Sequence, residues 1–229
     1  MSTSLKKLLV KDWLEIAIDA HLKIPEPPQP LGHEPMYIRA SWLRDDVESI
    51  YLRLLGFEPP GSPIPPQLRR RFHDGNDLQT RYIRYFRDMG ILDEPNDGDW
   101  DEDIGIYVGD DDFGIKGHID LRINLPTTGE TVFVELKAVT SGRYRWTQRE
   151  PLDSHYHQVQ MYLHLDNREW AYLLQECKDD QQISIKRIVR DEDMISEALH
   201  KAAEVWEMVI AQVDPREVLN GRVGNTKTR

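Results

Sequence analysis

From residue 113 to residue 140 the chain reads FGIKGHIDLRINLPTTGETVFVELKAVT, two runs of alternating apolar residues joined by a Pro, Thr and Gly turn. A period of two over that length specifies strand, turn and strand, and commits the chain to a β-sheet. The same runs hold Asp120, Glu135 and Lys137 in their interiors, where charge is costly to bury. Side chains two apart on a strand share a face. Glu135 and Lys137 therefore point one way, and Val134 and Leu136 point to the opposite layer. On the first run Lys116, His118 and Asp120 share a face, while Ile119 and Leu121 take the other. Aligning the two charged faces brings Asp120 and Glu135 together beside Lys137. Two carboxylates ~4 Å apart repel by roughly 4 kcal/mol at an effective dielectric of about 20. Such a pair needs a shared proton or a divalent cation. An oxygen-ligand metal site with a neighbouring lysine suits a phosphodiester; a purely structural ion-pair cluster is the other reading.

The remaining segments supply the layers around this sheet. Ser41 is read as the cap of a helix with Leu43, Val47, Ile50 and Leu54 on one stripe, ended by Gly56. A longer helix that stops at Gly90 has Leu68, Phe72, Leu78, Tyr82, Tyr85 and Met89 as its apolar positions. PLDSHYHQVQMYLHLDN reads as a helix starting near Asp153 or Ser154. EWAYLLQEC and QISIKRIVR read as strands around a polar turn. A last helix has the stripe Ile195, Leu199, Ala202, Trp206, Val209 and Val213, closed by Pro215. This order predicts an α/β fold with a mixed central sheet flanked by helices. Residues 1–36 form an amphipathic helix and a linker with five prolines in thirteen residues, 37–215 the main domain, and 216–229 a flexible tail.

Composition excludes several classes. Cys177 is the single cysteine, which rules out a disulfide framework, a cysteine zinc site and an intrachain four-cysteine iron–sulfur cluster. No apolar run approaches the ~18–20 residues of a membrane span, and the N-terminal helix is interrupted by Lys11, Asp12 and Glu15, unlike a signal peptide. No membrane partner and a cytoplasmic location, in a bacterium or a phage-infected host, are expected. The net charge of −11 argues against a polyanionic partner until its distribution is read: residues 93–112 hold ten acids and no Lys or Arg, leaving 30 acids against 29 bases elsewhere. Arg69, Arg70, Arg71, Arg81, Arg84 and Arg87 form one basic cluster, and Lys137, Arg143, Arg145 and Arg149 another. The local field at a cleft matters more than net charge, so DNA stays open as a partner.

GHID at 117–120, ELK at 135–137 and the helical HYHQVQMYL at 155–163 together resemble the PD-(D/E)xK nuclease superfamily. Within it they are most similar to the RecB-type and phage exonucleases related to the CRISPR adaptation nucleases. RASWLRDDVESIYLRLLG, FHDGNDLQTRYIRYFRDMGIL and YLLQECKDDQQISIKRIVRDEDMI extend the resemblance to about residues 37–213. It implies a restriction-endonuclease-like core and a metal-dependent exonuclease in phage or host recombination and repair. Asp120, Glu135 and the Leu136 carbonyl would hold Mg²⁺ or Mn²⁺, Lys137 would orient or deprotonate the attacking water, and Gln158 would position Lys137 or the scissile strand. Two departures stand out. Asp46 occupies the position of the first cluster cysteine in iron–sulfur relatives, so no iron–sulfur cluster is expected. Gln79 stands where many relatives have a ligating histidine, which leaves the third ligand open.

The flanking residues carry two readings each. His118 is a third ligand, a phosphate contact or a polar face residue. His155, Gln158 and Tyr162 share a helical face at i, i+3 and i+7, either serving substrate or packing on the sheet. Arg143, Arg145 and Trp146 are expected in a loop after Lys137, touching DNA by stacking and charge, or with the tryptophan packed against its own loop. Arg69, Arg70 and Arg71 are a solvated helix face or a DNA-groove contact. The N-terminal helix, through Leu5, Leu8, Leu9, Trp13, Ile16 and Ala20, is assigned to a protein partner or to self-association. A structure-specific or restriction-type endonuclease and a non-catalytic scaffold are the rival functions.

Overall fold

The computed structural model describes residues 36–57, 66–94, 100–101 and 105–219. The chain divides into two compact units, Met36–Glu58 with Gly75–Arg229 and Met1–Pro35 with Pro59–Asp74. Every contact given below lies within the first. The N-terminal helix and proline linker, the side chains of Arg69, Arg70 and Arg71, and the tail from residue 220 lie outside what is described, as does part of the acidic tract.

The strands β1 (Ile38–Arg39), β2 (Leu92–Asp93), β3 (Trp100–Asp101), β4 (Gly105–Asp110), β5 (Ile115–Ile119), β6 (Leu121–Asn124), β7 (Thr131–Val139), β8 (Trp170–Cys177) and β9 (Ile183–Val189) form two sheets. Their orders are β1-β5-β4-β3 and β2-β6-β7-β8-β9. Each contains one parallel pair, β1 with β5 and β7 with β8, and antiparallel pairs otherwise. The mixed α/β class expected from the sequence is what forms, but the single central sheet is two. Asp120 lies at the division, between the last residue of β5 and the first of β6.

Among the described residues, helices α1 (Val47–Leu54), α2 (Pro66–Asp88), α3 (Ser141–Thr147), α4 (Asp153–Leu165) and α5 (Glu192–Ile210) accompany the strands. Helix α1 is capped by Asp46, whose carboxylate accepts from the Ser49 backbone N–H and hydroxyl at 2.8 Å each. Ser41 instead sits in a short 3₁₀ turn, Ala40–Trp42, so the helix begins later than expected. In α2 the residues that pack inward are Leu78, Tyr82 and Ile83, with Phe86 alongside. Tyr85 and Met89 are exposed, a correction to the expected stripe. Helix α5 is capped by Asp191, which accepts from Met194 N–H at 3.1 Å, and buries Ile195, Ala198, Ala202 and Val205.

Strand β7 is buried on both sides, and its two faces enter different cores. Val132, Val134 and Leu136 pack with Leu121, Ile123 and the inward residues of α2. Phe133 joins Ile119, Val159, Tyr162, Leu163 and the α1 and α5 residues in the other core. Alternation then places Glu135 and Lys137 on the Phe133 side, toward α4. The Gln160 amide, fully buried on α4, is satisfied at both ends: it donates to the Val189 carbonyl at 2.9 Å and accepts from Asp191 N–H at 2.8 Å. That residue locks α4 to the end of β9 and the start of α5.

Candidate active site

The antiparallel register pairs Leu121 with Val134, so Asp120 falls opposite Glu135, one step beyond the last paired residue. At this point the Asp120 side chain completes the edge of the sheet: its Oδ2 accepts from the Leu136 backbone N–H at 2.6 Å. Gln79 holds the bend from the other side, its Nε2 donating to the Asp120 carbonyl at 3.2 Å while only 7% exposed. The residue in the expected third-ligand position is therefore engaged with the backbone that positions the carboxylate.

Lys137 Nζ lies 2.5 Å from Glu135 Oε1, and the Glu135 side chain is 1% exposed. The other carboxylate oxygen, Glu135 Oε2, is buried with no hydrogen-bond partner. Burial first, then the neighbouring Asp120 charge, push the Glu135 carboxyl up to about 8. Burial likewise raises Asp120, against the opposing pull of Lys137 and of the Leu136 N–H. For Lys137 burial acts downward, but the charges of Glu135 and Asp120 outweigh it and hold the ammonium above its ordinary pKa. Two carboxylates and one ammonium in a dry site leave one negative charge uncompensated. Either a proton on Glu135 or a cation held between the carboxylates would relieve that charge.

The donor set fits a hard divalent ion: two convergent carboxylates, one with an orphaned buried oxygen, and the adjacent Leu136 carbonyl. Among the described residues no three His, Cys, Asp or Glu side chains converge, so water or substrate oxygens would complete such a shell. Mg²⁺ commonly keeps several waters in this way.

The third motif folds as helix α4. The Tyr162 hydroxyl accepts from Gln158 Nε2 at 3.0 Å and from the His118 backbone N–H. Burial and the Glu135 charge raise its pKa far above the ordinary phenol value, so it remains protonated. Gln158 is thus tied to Tyr162, and among the described residues no hydrogen bond joins it to Lys137. Gly117 explains itself here: a Cβ on it would lie 2.7 Å from Tyr162 Cε1. The motif glycine is the space in which the tyrosine ring meets the strand. His118 is exposed, its ring edge-on to Tyr107.

A cleft of about 340 Å³ opens over Lys137, lined also by Ser41, Arg44, Asp45, Arg53, Ser154, His155 and Gln158. Gln175 is the parallel-strand neighbour of Lys137 and is fully buried, 3.3 Å from His155 Nδ1. Burial, then Lys137, Arg143 and Arg44, push the His155 imidazole down to about 4, so it is neutral in the physiological range. Sequence reasoning missed Ser41, Arg44 and Gln175. Only Gln175 left a signal, as an amide within the otherwise apolar WAYLLQEC strand. Arg143, Arg145 and Trp146 do not lie in a loop; they sit on the outer face of α3, with Trp146 74% exposed.

No protein-family model matches this chain, and no curated protein sequence matches it. Solved structures do. The alkaline exonuclease LHK-Exo from Laribacter hongkongensis superposes with a TM-score of 0.50 at 17% identity, over 84% of this chain and 95% of that one. Its complex with dAMP gives the same figures. A phage-related exonuclease from Haemophilus somnus 129PT gives a TM-score of 0.51 at 13% identity, over 79% of this chain and 98% of its own. The chain has the restriction-endonuclease-like α/β fold that these exonucleases share.

Proposed function

We propose that this protein is a divalent-metal-dependent DNA exonuclease of the PD-(D/E)xK type, acting in recombination or repair. The observation that carries the proposal is the placement of Asp120 opposite Glu135, with Glu135 Oε2 buried and unpartnered and Lys137 closing the site toward the cleft. A fold shared with exonucleases, one of them solved with dAMP, supports DNA as the substrate.

Asp120, Glu135 and the Leu136 carbonyl would hold Mg²⁺ or Mn²⁺. When bound, such an ion supplies Lewis-acid polarisation of a phosphodiester and a water of lowered pKa. The protein's own groups do the rest. Lys137, protonated and fixed against Glu135, donates into the cleft and offsets charge that accumulates on the phosphate. Its raised pKa suits orienting a water better than taking a proton from it. Tyr162 fixes the rotamer of Gln158, which presents its amide to the cleft. Neutral His155 offers a hydrogen bond to substrate without adding charge. Arg44 lines the same wall and adds a cation for the entering strand.

The test is cleavage of end-labelled linear DNA against closed-circular DNA, with Mg²⁺ or Mn²⁺ and with chelator. Linear DNA should be degraded from its ends only when metal is supplied, and the circle should survive. Nicking of the circle would make the enzyme an endonuclease, and cleavage by metal-stripped protein would overturn the metal reading. Absence of any cleavage under all these conditions would leave a binding scaffold.

A further inference from the structure

Helix α3 leaves β7 immediately after Val139 and turns Tyr144 and Thr147 inward, Tyr144 packing against Val139 and Cys177. It is pinned at both ends: Ser141 N–H donates to Asp179 Oδ2 at 2.9 Å, and Lys186 Nζ donates to the Gln148 carbonyl at 2.8 Å. The outward face of this fixed helix carries Arg143, Arg145 and Trp146, with Arg149 just beyond, all exposed. Trp146 is 74% exposed. Residues 141–149 hold three arginines and no acid in a chain of net charge −11. None of those arginines makes an ion pair among the described residues.

Large aromatic rings are seldom left this open, and packing explains the inward residues of α3 but not this one. An apolar protein partner would have to desolvate the surrounding guanidinium groups. A polyanion with aromatic bases matches both features, because phosphates neutralise the arginines while a base covers the indole. Helix α3 also starts where the strand bearing Glu135 and Lys137 ends, beside the cleft that Lys137 lines. Arg143 acts on His155 together with Lys137 and Arg44.

We propose that Trp146 is a stacking platform for an unpaired base of the strand entering the cleft, with Arg143 and Arg145 on the flanking phosphates. The inference rests on the nuclease reading and adds a preference to it. A base inside a duplex has both faces covered by its neighbours, whereas an unpaired base offers a face to the indole. The platform therefore favours single-stranded ends over blunt duplex ends.

Binding is measured by fluorescence anisotropy in chelator, so that nothing is cut, with a labelled single-stranded oligonucleotide and a blunt duplex of the same sequence. Trp146→Ala should weaken single-strand binding by about tenfold or more and duplex binding by much less. Trp146→Phe, which keeps a ring, should stay within about threefold of wild type for the single strand. Single-strand binding should also quench wild-type tryptophan fluorescence more than that of Trp146→Phe. Because Trp146 is exposed, both variants should melt with the wild type, which separates binding from folding. Unchanged single-strand affinity in Trp146→Ala, or an equal loss on both DNAs, overturns the platform. If wild type cleaves linear DNA while that happens, the nuclease reading stands and only the platform falls. Wild type that neither binds nor cleaves DNA removes both.

Discussion

At the scale of single residues, Lys137 separates the two meanings of the charged cluster. In an ion-pair cluster its role ends with charge compensation, so truncation costs stability alone. In a nuclease it also aligns water and compensates developing charge, and losing such a group costs on the order of 10²–10⁴ in rate. Lys137→Ala is expected to bind DNA and Mn²⁺ yet cleave at least ~100-fold more slowly, and Lys137→Arg should be poorly active because a guanidinium is bulkier and planar. Single-turnover cleavage within about threefold of wild type would take Lys137 out of the mechanism. Glu135 gives a second residue-scale test with a definite sign. Its carboxyl is raised from 4.5 to about 8 in the fold, so the native metal-free protein keeps a proton that the unfolded chain releases. Stability then falls as pH rises from about 4.5 through about 8, since the native state binds more protons across that window. Urea unfolding in chelator should show Glu135→Gln relieving a loss on the order of 1–3 kcal/mol between pH 5 and pH 8. Parallel pH profiles for mutant and wild type would mean that the carboxylates are hydrated and far apart.

At the scale of elements, Gly117 and Gly142 make a matched pair. A Cβ at Gly117 meets the Tyr162 ring at 2.7 Å, with Ala40 Cβ at 3.3 Å behind it, whereas Gly142 on α3 has nothing within 4 Å. Gly117→Ala should destabilise by about 1–3 kcal/mol through overpacking and lower activity, because Tyr162 and the Asp120 bend move together. Gly142→Ala should be neutral or stabilise by about 0.5–1 kcal/mol, through helix propensity. Equal denaturation midpoints for the two variants would show that Tyr162 is not seated on β5. The same elements show why some of the fold was readable and some was not. Glu135, Lys137 and Asp120 could be placed because a period of two assigns faces without knowledge of the partners. The break at Asp120 could not, because the alternation runs unbroken from Ile115 to Asn124. What divides the sheets is a side-chain bond to the Leu136 N–H and the Gln79 amide on the Asp120 carbonyl, both from residues distant in sequence. In α2 a buried amide, Gln79, stands within the inward stripe of Leu78, Tyr82, Ile83 and Phe86, so apolar periodicity alone does not define that face. Helix α3 was hidden for a related reason: SGRYRWT buries only Tyr144 and Thr147, too little for a helical period to register.

At the scale of the whole molecule, the question is how a chain of net charge −11 meets a polyanion. Ten of its acids fall between residues 93 and 112, and the rest of the chain is almost balanced. Fields from exposed charges fade over ~10 Å at 0.1 M salt, so the acidic tract governs the DNA site only where it lies close to it. The groups that face the cleft and α3's outer surface are instead Arg44, Lys137, Arg143 and Arg145. Asp45 holds Arg53 tightly, at 2.6 Å, and meets Arg44 only at 3.4 Å, so Arg53 adds less than Arg44. If those four cations each meet a phosphate of a single strand, the released counterions give a slope of about −0.7 per contact in log affinity against log salt. Affinity should then fall about 50-fold between 50 and 200 mM salt, measured in chelator so that binding is read without cleavage. A protein repelled as a whole would bind more tightly as salt rises, and one that holds DNA through bases alone would barely respond. A loss smaller than about threefold over that range would place the DNA backbone away from these residues and require a different path for the strand.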